Sequence, residues 1–236
     1  MIAMILAAGR GERMRPLTDQ LPKPLLPVAD APLITWHLKA LAKAGFSEIV
    51  INTAYLGQKI EDALGNGRSL GVNIRYSREP EGALETAGGI LTAQPWSEAR
   101  APFLVVNADI FCRWPFSEAQ RLGDTLGAGQ HARAHLILVP NPGHHPTGDF
   151  GLQADGYLTL EETPSVAWLT YSGIGIFHPD LFADLVPGQR AALGPLLRKA
   201  IADHQVTGQA YTGTWTDVGT PDRLAALDQQ LRESRL

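Results

Sequence analysis

Apolar residues recur along the chain in two rhythms. Met1-Ile-Ala-Met-Ile-Leu6 and Pro102-Phe-Leu-Val-Val-Asn107 are nearly unbroken apolar runs, as expected of strands covered on both faces. Glu48–Asn52, Val72–Tyr76, Ala134–Val139 and Trp168–Phe177 read as further strands. Between them the period becomes helical. Residues 32–44 place Leu33, Trp36, His37, Ala40 and Leu41 on one face, residues 56–64 form a helix ending at Gly65, and residues 86–93 form a short one. Leu181–Leu185 and Leu193–His204 are helix candidates further on. Thr220–Leu231 is amphipathic, with Leu224, Leu227 and Leu231 at three- and four-residue spacing, a capping hydroxyl on Thr220 and Pro221 at the first helical position.

Strands alternating with helices imply right-handed crossovers and a mostly parallel sheet. The expected fold is therefore α/β, a Rossmann-like mixed sheet flanked by helices. The second half changes character, because a Gly- and Pro-rich segment from Pro140 to Pro164 separates its strands. No repeat, low-complexity tract or flexible linker interrupts the chain, so a single domain over residues 1–236 is expected.

Composition narrows the partners. With 44% hydrophobic and 19% charged residues, the 236-residue chain can bury a substantial core. A net charge of −4 gives no support for nucleic-acid binding. Cys112 is the sole cysteine, so no internal disulfide can form. Positive residues follow the apolar N-terminal run instead of preceding it, the reverse of a secretory signal. No apolar stretch has the length needed to cross a bilayer. These features lead us to expect a cytoplasmic protein with no membrane or nucleic-acid partner, and they leave its oligomeric state open.

Chemistry concentrates just after the first strand, in Leu6-Ala-Ala-Gly-Arg-Gly-Glu-Arg-Met-Arg-Pro-Leu-Thr18 and Pro22-Lys-Pro-Leu25. Gly9 and Gly11 let the backbone approach a ligand and gather N–H groups in one concavity, while Arg13 and Lys23 supply positive charge. The loop suits a polyphosphate. It is not a Walker loop, which needs a second Gly followed by Lys and Ser or Thr. The dinucleotide fingerprint is also absent, because Met14 stands where its third glycine belongs. An ordinary strand-to-helix connection with surface charges is the plain alternative. Asn107-Ala-Asp109 closes the buried apolar run, where open α/β sheets place ligands, and Trp215-Thr-Asp-Val-Gly-Thr220 puts a second acid in a turn before a helix. Either Asp alone is equally an ordinary strand terminator or cap.

Together these three segments resemble the nucleotidyltransferase family that joins a nucleoside triphosphate to a sugar 1-phosphate, whose pattern is Leu-Ala-Ala-Gly-x-Gly-x-Arg-(Met/Leu)-x-Pro-Leu-Thr, then Pro-Lys-Pro-Leu. The resemblance implies a nucleotide-binding half over residues 1–110 and a sugar-phosphate-binding half over 111–236. It implies Mg²⁺ on Asp109 and Asp217, with Arg13 and Lys23 as catalytic cations on the phosphates. The nucleotide is expected on Leu6, Ala8, Gly9, Gly11, Glu12, Arg13, Met14 and Lys23, and its base near Glu85, Thr86 and Gly88 in the segment Glu79–Gly89. A helix cap at Glu85 or Thr86 is the plain reading of that last segment. Asn107, Asn141 and Asp149 are the candidates for gripping the sugar phosphate, although Asn141-Pro-Gly is also a routine turn.

Leu84-Glu-Thr-x-Gly-Gly89, Asn141–Phe150, Leu169–Ile174 and Pro195–Ala200 are similar to the uridylyltransferase branch of cell-wall recycling, which implies UTP and N-acetylmuramate 1-phosphate as substrates. Thr163 departs from a family lysine, so residues 161–163 stay outside the expected site. A relative using mannose, glucose or heptose 1-phosphate with GTP, dTTP or CTP remains open, as does a non-catalytic nucleotide-sugar sensor. His144 and His145 have no matching Cys or His set for zinc and are expected at a solvated rim.

Overall fold

A computed structural model describes residues 1–80, 84–96, 99–127, 131–164 and 166–233. The first half runs β1 (Ala3–Leu6), a small hairpin of β2 (Pro27–Val28) and β3 (Ala31–Pro32), α1 (Leu33–Lys43), β4 (Glu48–Thr53), α2 (Gly57–Leu64), β5 (Asn73–Arg78), α3 (Glu85–Ala93) and β6 (Phe103–Asn107). The second half runs β7 (Ile110–Cys112), α4 (Glu118–Gly127), β8 (Ala134–Val139), β9 (Phe150–Leu152), β10 (Leu158–Thr159) and β11 (Ala167–Phe177). It ends with α5 (Leu193–Ala202), β12 (Val206–Ala210), β13 (Trp215–Asp217) and α6 (Pro221–Glu233).

Nine strands share one sheet among the described residues, in the order β10-β9-β11-β6-β1-β4-β5, with β8 branching from β11 and carrying β12. The ladders β6-β1, β1-β4 and β4-β5 are parallel, and β11 runs antiparallel to β6. This is the expected mostly parallel mixed sheet. It also joins the two halves of the chain through the β6–β11 ladder.

The unbroken apolar runs arise because successive side chains enter different cores. Ala3 and Ile5 of β1, with Leu104 and Val106 of β6, pack under α1, α2 and α4. Met4, Phe103 and Val105 point the other way, toward α3 and α5. Burying each large apolar side chain contributes about 1.5–3 kcal/mol. A third cluster gathers Met14, Val28, Leu33, Phe111 and Val218 against Leu224, Leu227 and Leu231 of α6. Asp228 accepts from the Ala29 N–H at 2.6 Å, and Arg232 donates to the Ala29 carbonyl at 2.7 Å. The C-terminal helix thus braces the hairpin that follows the glycine loop.

One expectation is corrected and one helix is added. Leu181–Leu185 is not an α-helix. A 3-10 turn, Pro179–Phe182, stands there and buries Leu181 and Phe182 in the second core, which accounts for the apolar pattern. Helix α4 was not foreseen, although Ala119, Leu122 and Leu126 at three- and four-residue spacing supply its buried face. The parallel ladders bring the C-terminal ends of β1, β4 and β6 to one edge, where an open α/β sheet binds ligands.

Candidate active site

The loop after β1 is shaped by two glycines. Gly11 adopts a left-handed backbone (φ 71°), and Thr18 Oγ donates to its carbonyl at 2.9 Å. A Cβ added at Gly9 would meet nothing within 4 Å, so packing does not demand glycine there. Among the described residues, the N–H groups of Gly9, Arg10 and Gly11 donate to no protein acceptor. Ala7 is the anchor: its N–H donates to Asn52 Oδ1 at 2.8 Å, and Asn52 Nδ2 donates to Glu79 Oε1 at 2.7 Å. Burial pushes the Glu79 carboxyl above the usual carboxylate range, partly offset by that hydrogen bond from Asn52.

These groups face a cleft of about 790 Å³ at the sheet edge. Leu6, Ala8, Gly9, Gly11, Glu12, Arg13, Met14, Lys23, Glu85, Thr86, Asn107 and Asp109 all line it, as do Asn52 and Glu79, which the sequence did not single out. Lys23 Nζ meets Asp109 Oδ2 at 2.8 Å, and the second oxygen of Asp109 has no partner among the described residues. The lysine side chain is 8% exposed, so a fixed positive charge sits at the base of the cleft. Arg13 is exposed and makes no ion pair among the described residues.

Asp217 reaches the same region through strand pairing. The β7–β13 ladder sets Asp217 opposite Ile110, and the Val218 N–H donates to the Asp109 carbonyl at 2.9 Å. Asp217 Oδ2 accepts from Arg223 Nη1 at 2.9 Å and lies 3.2 Å from His144 Nε2. The backbones of two acids distant in sequence are thereby brought together. Their hard oxygens fit Mg²⁺, which commonly takes one or two carboxylates and completes its shell with phosphate oxygens and water. Asn107 is set by a bulge. Gly173 (φ 83°) interrupts the β11–β8 register, and a Cβ there would collide with the Asn107 side chain at 2.8 Å.

Four expected residues stand elsewhere. Gly88 admits the protein's own backbone where a flat ring was expected: a Cβ would lie 2.4 Å from the Gln189 carbonyl oxygen, and its N–H donates to Ala191 O at 3.1 Å. Asn141 spends its amide on the Pro146 and Trp168 carbonyls at 3.1 Å each, and its carbonyl on Thr170 Oγ at 2.9 Å. Asp149 accepts from the Tyr171 N–H at 2.8 Å and contacts His145 at 3.0 Å. Asn141, Asp149 and Asp217 do not line the cleft. Glu85 opens α3 at φ 54° and pairs with Arg190 at 2.6 Å; it does not cap the helix. Residues 81–83 of the expected base segment lie outside the described residues.

A glycine-rich loop after β1, with the Lys23–Asp109 pair in a cleft at the edge of a mostly parallel sheet, defines a class. The chain belongs to the nucleotidyl transferase family, whose model matches residues 2–234. It is 54% identical to the N-acetylmuramate alpha-1-phosphate uridylyltransferase of Neisseria meningitidis over 95% of both chains. It is 35% identical to the enzyme of the same name from Caulobacter vibrioides, covering 99% of this chain and 98% of that one. Among solved structures, a Bacillus anthracis protein assigned as a glucose-1-phosphate thymidylyltransferase shares the fold with a TM-score of 0.80, at 21% identity, over 99% of this chain and 96% of that chain.

Proposed function

We propose that this protein transfers a uridylyl group from UTP to N-acetylmuramate α-1-phosphate, releasing pyrophosphate, as a step of cell-wall recycling in the cytoplasm. The observation that carries the substrate assignment is the 54% identity sustained over 95% of both chains. In this reading residues 1–110 bind the nucleotide and residues 111–236 complete the sugar side.

The chemistry follows from charge. A sugar-phosphate oxygen forms a bond to the α-phosphorus, and the bond from that phosphorus to the bridging oxygen breaks, with pyrophosphate taking the electron pair. Both reactants are anions, so repulsion and misalignment dominate the barrier, and a protein lowers it by positioning and by placed positive charge. Lys23, fixed by Asp109, meets the α-phosphate. Arg13 meets the departing β- and γ-phosphates. The free N–H groups of Gly9, Arg10 and Gly11 supply further donors along the triphosphate. The attacking phosphate is ionised at neutral pH, so no general base is required. Mg²⁺, when held by Asp109 and Asp217, would screen the phosphate oxygens. Asn107, packed on Gly173, is the candidate sugar-phosphate contact nearest the cleft; Asn141 and Asp149 support the loop beside it. Glu79, Glu85 and Thr86 line the cleft at the expected base end, and Arg190 pairs with Glu85.

The test is pyrophosphate release with Mg²⁺, crossing UTP, GTP, dTTP, CTP and ATP against N-acetylmuramate, N-acetylglucosamine, glucose and mannose 1-phosphates. A maximum for UTP with N-acetylmuramate 1-phosphate is expected. A maximum at another pair would overturn the substrate assignment, and no release from any pair would overturn catalysis itself.

A further inference from the structure

Arg10 occupies the unspecified position of the Leu-Ala-Ala-Gly-x-Gly pattern, and the mechanism above gives its side chain no role. It lines the cleft between the two loop glycines. Its guanidinium lies over the ring of Tyr55, 3.9 Å from the centroid, and Tyr55 also lines the cleft. The Tyr55 hydroxyl donates to the Asp19 carbonyl at 3.1 Å, which fixes the ring. The remaining arginine contacts are loose. Nε meets Glu12 at 3.1 Å and Nη2 stands 3.8 Å from Asp19, and both acids are well exposed. Nη1 is covered and has no hydrogen-bond partner among the described residues.

An arginine cannot shed its charge, and the Arg10 side chain, which lines the cleft and is 34% exposed, keeps donor capacity for an acceptor there. Exposed carboxylates in water hold a guanidinium weakly, and a polyphosphate offers a higher charge and several acceptors in fork geometry. Stacking on an aromatic ring removes side-chain freedom in advance, which favours capture of such a ligand. The neighbouring free N–H groups of Gly9 and Gly11 would face the same ligand.

We propose that Arg10, held flat on Tyr55, is a further cation of the polyphosphate subsite, gripping the β- and γ-phosphates of the incoming triphosphate and the pyrophosphate that leaves. Tyr55 is its positioning residue. The proposal rests on the nucleotidyltransferase reading of this cleft.

The reverse reaction tests it, because pyrophosphate and the nucleotide sugar are then separate substrates. KM for each is measured on the full chain for wild type, Arg10→Gln, Arg10→Lys, Tyr55→Leu and Tyr55→Phe, alongside calorimetric titration of pyrophosphate and thermal melting. Arg10→Gln is expected to raise KM for pyrophosphate about 10-fold or more while leaving KM for the nucleotide sugar within about 2-fold. Arg10→Lys should recover part of that loss. Tyr55→Leu should weaken pyrophosphate binding, and Tyr55→Phe, which keeps the ring, should restore most of it. An unchanged pyrophosphate KM in Arg10→Gln, or a rise confined to the nucleotide sugar, would overturn the proposal. If Arg10→Gln does not fold, the Tyr55→Leu and Tyr55→Phe pair carries the same comparison. An inactive wild type would count against the function, while calorimetry would still compare pyrophosphate binding in wild type and Arg10→Gln.

Discussion

Two loops rich in glycine and proline leave the same edge of the sheet, residues 7–18 after β1 and residues 140–149 after β8. In the first, the N–H groups of Gly9, Arg10 and Gly11 and the guanidinium of Arg13 have no acceptor among the described residues. In the second, Asn141 makes three hydrogen bonds and Asp149 two, all within the protein. Both loops carry residues that sequence reasoning nominated for binding. Hydrogen-bonding capacity separates them: groups already satisfied hold a loop in shape, while unspent donors facing a cleft are available to a ligand. Lys23 combines the two states, since one ammonium proton fixes Asp109 and the others have no acceptor among the described residues.

The comparison predicts that substitutions in the cleft the first loop faces change turnover and those in the second loop change stability. Asp109→Asn should have the largest effect, lowering kcat roughly 10³-fold, because it removes the negative charge that pairs with Lys23 and that would hold the metal. Lys23→Ala should cost roughly 10²-fold in kcat, read by initial rates at saturating substrate. Asn52→Ala sits between the two regimes. It orphans the Ala7 N–H and Glu79, so about 1–3 kcal/mol of stability should disappear together with a rise in KM for the nucleotide. Asn141→Ala should lose stability of similar size in urea titration, yet keep kcat/KM within about 3-fold where folded.

A further effect on stability is set by pH. His37 is a buried ring whose Nε2 donates to the Ile110 carbonyl at 2.7 Å, next to Asp109, and burial lowers its pKa to about 4. His135 is lowered by burial to about 4 as well. Both folded values lie below the unfolded value of 6.5, so the unfolded chain binds more protons as acidity rises. Their contribution is complete above pH 6.5 and is lost as pH falls toward 4. At pH 5.5 each should cost about 1.4 kcal/mol, and the melting temperature should fall accordingly, with a shallower fall in His37→Gln.

Contiguous chemistry was the part most legible in the sequence. Residues 6–25 carry much of the cleft lining in one stretch, and Phe103-Leu-Val-Val106 announced a strand buried on both faces. Asn52 and Glu79 were not legible, because each resembles an ordinary strand-end polar residue until the β1–β4–β5 ladders bring Ala7, Asn52 and Glu79 together. Gly88 was misread for a related reason. The segment that fills the space above it, Gln189–Ala191, is remote in sequence. The short strands β7 and β13 are too brief for periodicity to reveal, yet they set Asp217 beside Asp109.

The most direct measurement pairs Lys23→Ala with Asn141→Ala and records pyrophosphate release and urea unfolding on each. The account predicts that Lys23→Ala loses turnover roughly 10²-fold, while Asn141→Ala loses stability and keeps turnover when folded. Near-wild-type turnover in Lys23→Ala, or a stable Asn141→Ala protein with turnover abolished, would contradict it.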